Sequence, residues 1–66
     1  MINFEKPQNL LCTLNYLSDD SKILFKKGST YRYNGAFCLA DENGYNRPLN
    51  SSDINAHFEE IEEEQN

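Results

Sequence analysis

Thr30-Tyr31-Arg32-Tyr33-Asn34-Gly35-Ala36-Phe37-Cys38-Leu39-Ala40-Asp41-Glu42-Asn43-Gly44-Tyr45-Asn46-Arg47-Pro48-Leu49 holds two Asn-Gly pairs, each set between β-branched, aromatic or apolar residues. Asn-Gly in that setting is a strong hairpin signal, because a type I′ turn needs positive φ at both central positions. A two-residue loop at Asn34-Gly35 sets Tyr33 opposite Ala36 and Tyr31 opposite Cys38, two rings beside two small residues on one face. The same turn at Asn43-Gly44 pairs residues 36–42 with 45–49. The two turns predict a three-stranded antiparallel meander over residues 30–49. Pro48 cannot donate to a ladder, so its strand lies at an edge or ends there.

Upstream, residues 10–17 alternate. Leu10, Cys12, Leu14 and Tyr16 fall on one side, and Leu11, Thr13, Asn15 and Leu17 on the other, the period of a strand. Ser18-Asp19-Asp20-Ser21 reads as a polar loop, Ile23-Leu24-Phe25 as a further apolar run, and Lys26-Lys27-Gly28-Ser29 as a turn. Residues 1–9, punctuated by Pro7, read as an irregular lead-in. Downstream, Ser51, Ser52 and Asp53 are N-cap candidates, and Ile54, His57, Phe58 and Ile61 have amphipathic helical spacing. A glutamate run at a helix C-terminus opposes the macrodipole. A helical turn over 53–57 is therefore expected, then either a brief closing strand over 58–61 or a frayed helix. The domain spans residues 10–61, and residues 62–66 are expected to be a disordered acidic tail.

The chain has 66 residues, 38% of them hydrophobic and 12% aromatic, which is the composition of a folded domain. A chain this short buries only about 60% of its unfolded surface, too little core to enclose a deep catalytic pocket. No apolar run approaches the roughly 20 residues of a membrane span. The N-terminus lacks the basic and apolar regions of a signal peptide, so the cytoplasm is the default. Cys12 and Cys38 form no CxxC pair and are expected as buried free thiols, with a disulfide or a reactive role as the alternatives. A zinc site would need carboxylates beside His57, the single imidazole. No metal or other cofactor is expected.

Charge is uneven. Residues 1–50 hold six basic and five acidic residues, a net of +1, whereas residues 51–66 hold six acids and no Lys or Arg, a net of −6. The anionic segment is Asp53, Glu59, Glu60, Glu62, Glu63 and Glu64.

Lys27-Gly28-Ser29-Thr30-Tyr31, the Asp41-Glu42-Asn43-Gly44 hairpin tip and the closing Phe58-Glu59-Glu60-Ile61, preceded by a strand carrying Cys12, resemble small SH3-like β-barrel proteins of bacteriophages and prophages. The resemblance covers roughly residues 10–62. It implies a small SH3-like antiparallel barrel or strongly bent sheet with a short C-terminal helical turn. It also implies a binding role directed at a host protein in the host cytoplasm, and it supplies no catalytic residues.

The residues themselves point the same way. No Ser/His/Asp or Cys/His order stands out, His57 sits on the apolar side of its segment, and the three glycines lack phosphate-loop spacing. A structural histidine and a non-enzymatic protein are expected. Two surfaces are candidates for the partner. One is aromatic and cationic, with Tyr31, Tyr33, Tyr45 and Arg47, a composition common in binding hot spots. The other is the acidic set Glu59, Glu60, Glu62, Glu63 and Glu64, which could mimic a phosphate row toward a nucleic-acid-handling protein. Direct binding of single-stranded nucleic acid through tyrosines and cations is the alternative, opposed by a net charge of −5. A self-associating accessory protein is a further alternative, through the exposed strand edge.

Overall fold

A computed structural model describes residues 2–61. The elements run β1 (Gln8–Cys12), β2 (Tyr16–Leu17), β3 (Ile23–Phe25), β4 (Thr30–Tyr33), β5 (Cys38–Ala40), β6 (Asn46–Pro48), α1 (Ser51–His57) and β7 (Phe58–Glu60). The fold is mainly β, with antiparallel sheets and one short C-terminal helix. Five strands form one sheet in the order β6-β5-β4-β1-β7, and β2 pairs with β3 as a separate ribbon. The five-stranded sheet is open, so the expected barrel does not close among the described residues. Its two edge strands, β6 and β7, are three residues each, and β6 ends on Pro48, which has no N–H to offer a neighbour.

The meander β4-β5-β6 forms, but both hairpins are one residue longer than a two-residue turn, and the register moves with them. Tyr33 lies opposite Leu39, not Ala36. Residues directly opposite share a face, and a one-residue slip sends a whole strand to the other side. Leu39 and Tyr33 are both fully buried, so they must share the core face, and only an odd loop of residues 35–37 allows it. That loop carries three successive positive φ values, at Gly35, Ala36 and Phe37. Two of the three are not glycine and carry steric cost. Three contacts hold them: the Phe37 N–H donates to the Tyr33 hydroxyl at 3.1 Å, the Leu49 N–H donates to the Phe37 carbonyl at 2.8 Å, and the Phe4 ring packs 5.3 Å from that of Phe37.

At the second hairpin the Asp41 N–H donates to the Tyr45 carbonyl and the Gly44 N–H to the Asp41 carbonyl, each at 2.9 Å. Gly44 at φ +85° completes a three-residue loop, a tight turn followed by a left-handed bulge residue. The pairs are consequently Leu39 with Arg47 and Ala40 with Asn46.

The predicted strand over 10–17 is broken. β1 starts two residues before Leu10, and residues 13–15 turn the chain into the ribbon. Leu10 and Cys12 face the core, whereas Leu14 is 53% exposed. The lead-in also contributes, since Ile2 is buried and Phe4 packs edge-on to Tyr33. Phe25, Tyr31 and Phe58 form an edge-to-face triad with centroids 5.0, 5.2 and 6.2 Å apart. Such pairs add about 0.5–1.5 kcal/mol each beyond their burial.

Helix α1 is capped by Asn50, whose side chain accepts the Asp53 N–H at 2.8 Å, not by Ser51, Ser52 or Asp53. Ile54 is its one buried residue. The chain becomes extended at Phe58, the closing strand of the two sequence alternatives, and β7 returns to β1 with Cys12 opposite Phe58 and Leu10 opposite Glu60. The expected acidic tail, 62–66, lies outside the described residues.

Candidate partner-binding groove

The ribbon begins where Tyr16 pairs with Phe25 and Leu17 with Ile23. Tyr16 packs edge-on to Phe25 and to His57, at 5.8 and 5.0 Å, and so faces the core. Leu17 and Ile23, its outer pair, are 51% and 47% exposed. The tip is held by the Ser18 N–H donating to the Lys22 carbonyl at 2.8 Å and by a Ser18 hydroxyl bond to the Asp20 carboxylate. Two apolar side chains thus stand in water on a ribbon tied at both ends.

Between the ribbon and β6 runs a groove of about 260 Å³ lined by Tyr16, Leu17, Leu24, Arg47 and Pro48, with Asp19 at its rim. Arg47 reaches it from a buried anchor. The Asp41 carboxylate is fully buried and accepts the Arg47 Nε–H at 2.6 Å, the Asn43 N–H at 2.9 Å and the Tyr45 N–H at 3.0 Å. Burial pushes the Asp41 carboxyl up, but the Arg47 bond and the two backbone donors outweigh it and hold the group below the ordinary carboxylate value. The Arg47 guanidinium lies 5.9 Å from the Tyr45 ring. Its Nη groups have no partner among the described residues. The result is a planar donor fork with its orientation set in advance, beside apolar surface. Burial, with Asp53 and Asp19 nearby, pushes the Tyr16 phenol up, so it stays neutral.

The sequence-predicted residues divide. Arg47 lines the groove, and Tyr45, at 65% exposure, lies next to its guanidinium. Tyr31 and Tyr33, at 8% and 0% exposure, are core rings and leave the contact surface. Tyr33 donates its hydroxyl proton to the Phe4 carbonyl at 2.5 Å, and the Tyr31 hydroxyl bonds to Glu42 and accepts the Lys26 N–H at 2.7 Å. Both residues face inward because alternate positions of β4 share a face and their neighbours there are Leu10 and Leu39. Glu59 and Glu60 are exposed on edge strand β7. As adjacent residues of a strand they point to opposite faces, so the two do not form one row of charge. Glu62, Glu63 and Glu64 lie outside the described residues.

His57 is structural, its Nδ1 3.2 Å from the Leu14 carbonyl and its ring on Tyr16. Cys12 is a buried free thiol, but Cys38 is only half-buried, since β5 turns it to the outer face while Leu39 faces in. No group of three His, Cys, Asp or Glu side chains stands together among the described residues. No helix of the described residues is long and apolar enough to cross a membrane. A larger hollow of about 660 Å³ lies against residues 28–32 and 40–42, but its exposed side chains, Thr30, Arg32 and Glu42, offer no apolar anchor. Sequence reasoning missed Leu17 and Ile23. Their signal was present as apolar residues flanking a polar turn, the pattern of any hairpin, with nothing to mark them as facing outward.

Fold and groove together define a small antiparallel β domain that presents a preset arginine beside an exposed leucine. No protein-family model, curated protein or solved structure matches the chain.

Proposed function

We propose that this chain is a protein-binding module that acts by surface contact and modulates its partner, with the groove between the β2–β3 ribbon and β6 as the contact site. The observation that carries the reading is Arg47, held by buried Asp41 and lying by Tyr45, in one groove with exposed Leu17. Arginine and tyrosine next to apolar surface are the residues that dominate binding energy at interfaces, and preset geometry reduces the ordering cost of binding. In the setting that the resemblance to SH3-like phage proteins implies, the partner is a host protein. The burial of Tyr31 and Tyr33 weighs against stacking of nucleic-acid bases, as does the net charge of −5.

The test is affinity capture from a lysate of the natural host, identification of the captured protein, and binding measured with both proteins purified. Leu17→Asp and Tyr45→Ala, both at exposed positions, each weaken binding by about tenfold or more. Glu59→Gln with Glu60→Gln leaves it nearly unchanged. Full affinity in the first two variants, or loss in the glutamate variant alone, would place the contact on the acidic strand instead.

A further inference from the structure

The two Asn-Gly pairs that shape the meander are also the two places where this backbone can attack its own side chains. The structure treats them differently. We propose that Asn34 is a site of spontaneous deamidation and that Asn43, in the same dipeptide context, is protected by its turn.

In this reaction the Gly nitrogen loses its proton to base and attacks the Asn Cγ. A new C–N bond closes a five-membered succinimide, and Nδ2 leaves with a proton as ammonia. Water then opens the ring at either carbonyl, giving aspartate or isoaspartate. No electrons are exchanged, and water is the one co-reactant. The step needs a Gly N–H that is free to ionise and a side chain free to swing over it.

At Asn43 the first condition fails. The Gly44 N–H donates to the Asp41 carbonyl at 2.9 Å, and the Asn43 N–H donates to the Asp41 carboxylate at 2.9 Å. That carboxylate is buried and also holds Tyr45 and Arg47, so freeing the Gly44 nitrogen means opening the whole hairpin tip. At Asn34 the Gly35 N–H has no acceptor among the described residues, and the hairpin is closed instead by the Asn34 N–H to the Cys38 carbonyl and the Cys38 N–H to the Gly35 carbonyl. Asn34 is exposed. One restraint remains, a bond from its Nδ2 to the Asn46 Oδ1 at 2.6 Å, between two exposed side chains. Breaking one such bond is a far smaller barrier than opening the Asp41-anchored loop.

The product changes the hairpin. Aspartate at position 34 puts a carboxylate against the Asn46 Oδ1 that now accepts the Nδ2–H bond, and isoaspartate adds a backbone atom where β4 meets the loop of residues 35–37. Both loosen the loop that carries exposed Phe37, so the chain acquires an age-dependent change on one defined edge.

The experiment ages the purified chain at mildly alkaline pH and assigns deamidation by peptide mass spectrometry, beside a sample held in denaturant. In denaturant the two asparagines react at similar rates. In the folded chain Asn34 reacts at least tenfold faster than Asn43. Asn46→Ala, which removes the restraint on Asn34, speeds reaction at that site about fivefold, the factor one exposed hydrogen bond represents. Asn34→Gln abolishes the dominant product. Equal native rates, a faster Asn43, or no native reaction at Asn34 would each overturn the assignment.

Discussion

Replacing Asp41 by alanine tests how much of the meander hangs on one buried carboxylate. The side chain accepts three hydrogen bonds, from the Arg47 Nε–H at 2.6 Å and from the Asn43 and Tyr45 backbone N–H groups at 2.9 and 3.0 Å. A bond between a charged donor and acceptor contributes about 1.5–3 kcal/mol, and each bond to a backbone donor about 0.5–1.5. The Arg47 side chain is 42% exposed and regains water when released, so its share falls to about 1 kcal/mol. The expected loss is about 2–4 kcal/mol, against a total of about 3–10 kcal/mol for a chain of this length. In a domain this small it lowers Tm by about 10–25 °C. Asp41→Asn keeps an acceptor for the backbone donors and loses the charge, so it costs about half as much.

Thermal unfolding followed by circular dichroism reads both variants at pH 7 and again down to pH 3. The Asp41 carboxyl is held below its unfolded value, so its stabilisation is complete above the unfolded pKa of about 4 and disappears as pH falls through the lower folded value. The gap between wild type and Asp41→Asn is therefore constant at neutral pH and narrows in acid. A Tm shift of Asp41→Ala below about 4 °C, or a gap that widens in acid, refutes the reasoning.

Tyr33→Phe removes the hydroxyl that bridges the Phe4 carbonyl and the Phe37 N–H, and costs about 1–3 kcal/mol by urea denaturation with an unchanged slope. Asn50→Ala costs about 1 kcal/mol in the same assay, whereas Ser51→Ala costs a few tenths, because Asn50 is the residue that caps α1. In thiol titration of the native chain Cys38, half-buried, is labelled first. Cys12, whose thiol is pushed up by burial, reacts on the timescale of unfolding.

The places where sequence reading and structure part have physical causes. Asn-Gly announces a chain reversal near 34–35 and near 43–44, and both hairpins form with Gly35 and Gly44 at positive φ. Neither is the expected two-residue type I′ turn, since Asn34 and Asn43 do not take positive φ. Loop length is not local. Which residues sit opposite one another is decided by the need to bury Leu39 with Tyr33, and nothing in the dipeptide encodes that. Positive φ at Ala36 and Phe37 runs against residue preference and exists because Tyr33, Phe4 and Leu49 hold it from outside the loop. Pro48 was legible as an edge residue from its missing donor alone. Tyr45 and Arg47 were legible as candidate contact residues by type, but the buried Asp41 that fixes the arginine looks in sequence like any turn aspartate. Tyr31 and Tyr33 were misplaced for the same reason. Tyrosine suits a surface and a core equally, and the face was set by Leu10 and Leu39 on the neighbouring strands.

The ribbon and β6 face one another across the groove, and β7 comes back to β1 at the far edge of the sheet. Cross-strand nuclear Overhauser effects test that return most directly. Close Hα–Hα contacts are expected between Cys12 and Phe58 and between Leu10 and Glu60, with extended-chain couplings at residues 58–60. Sequential helical contacts running on from His57 through Ile61, with no contact to β1, would contradict that return.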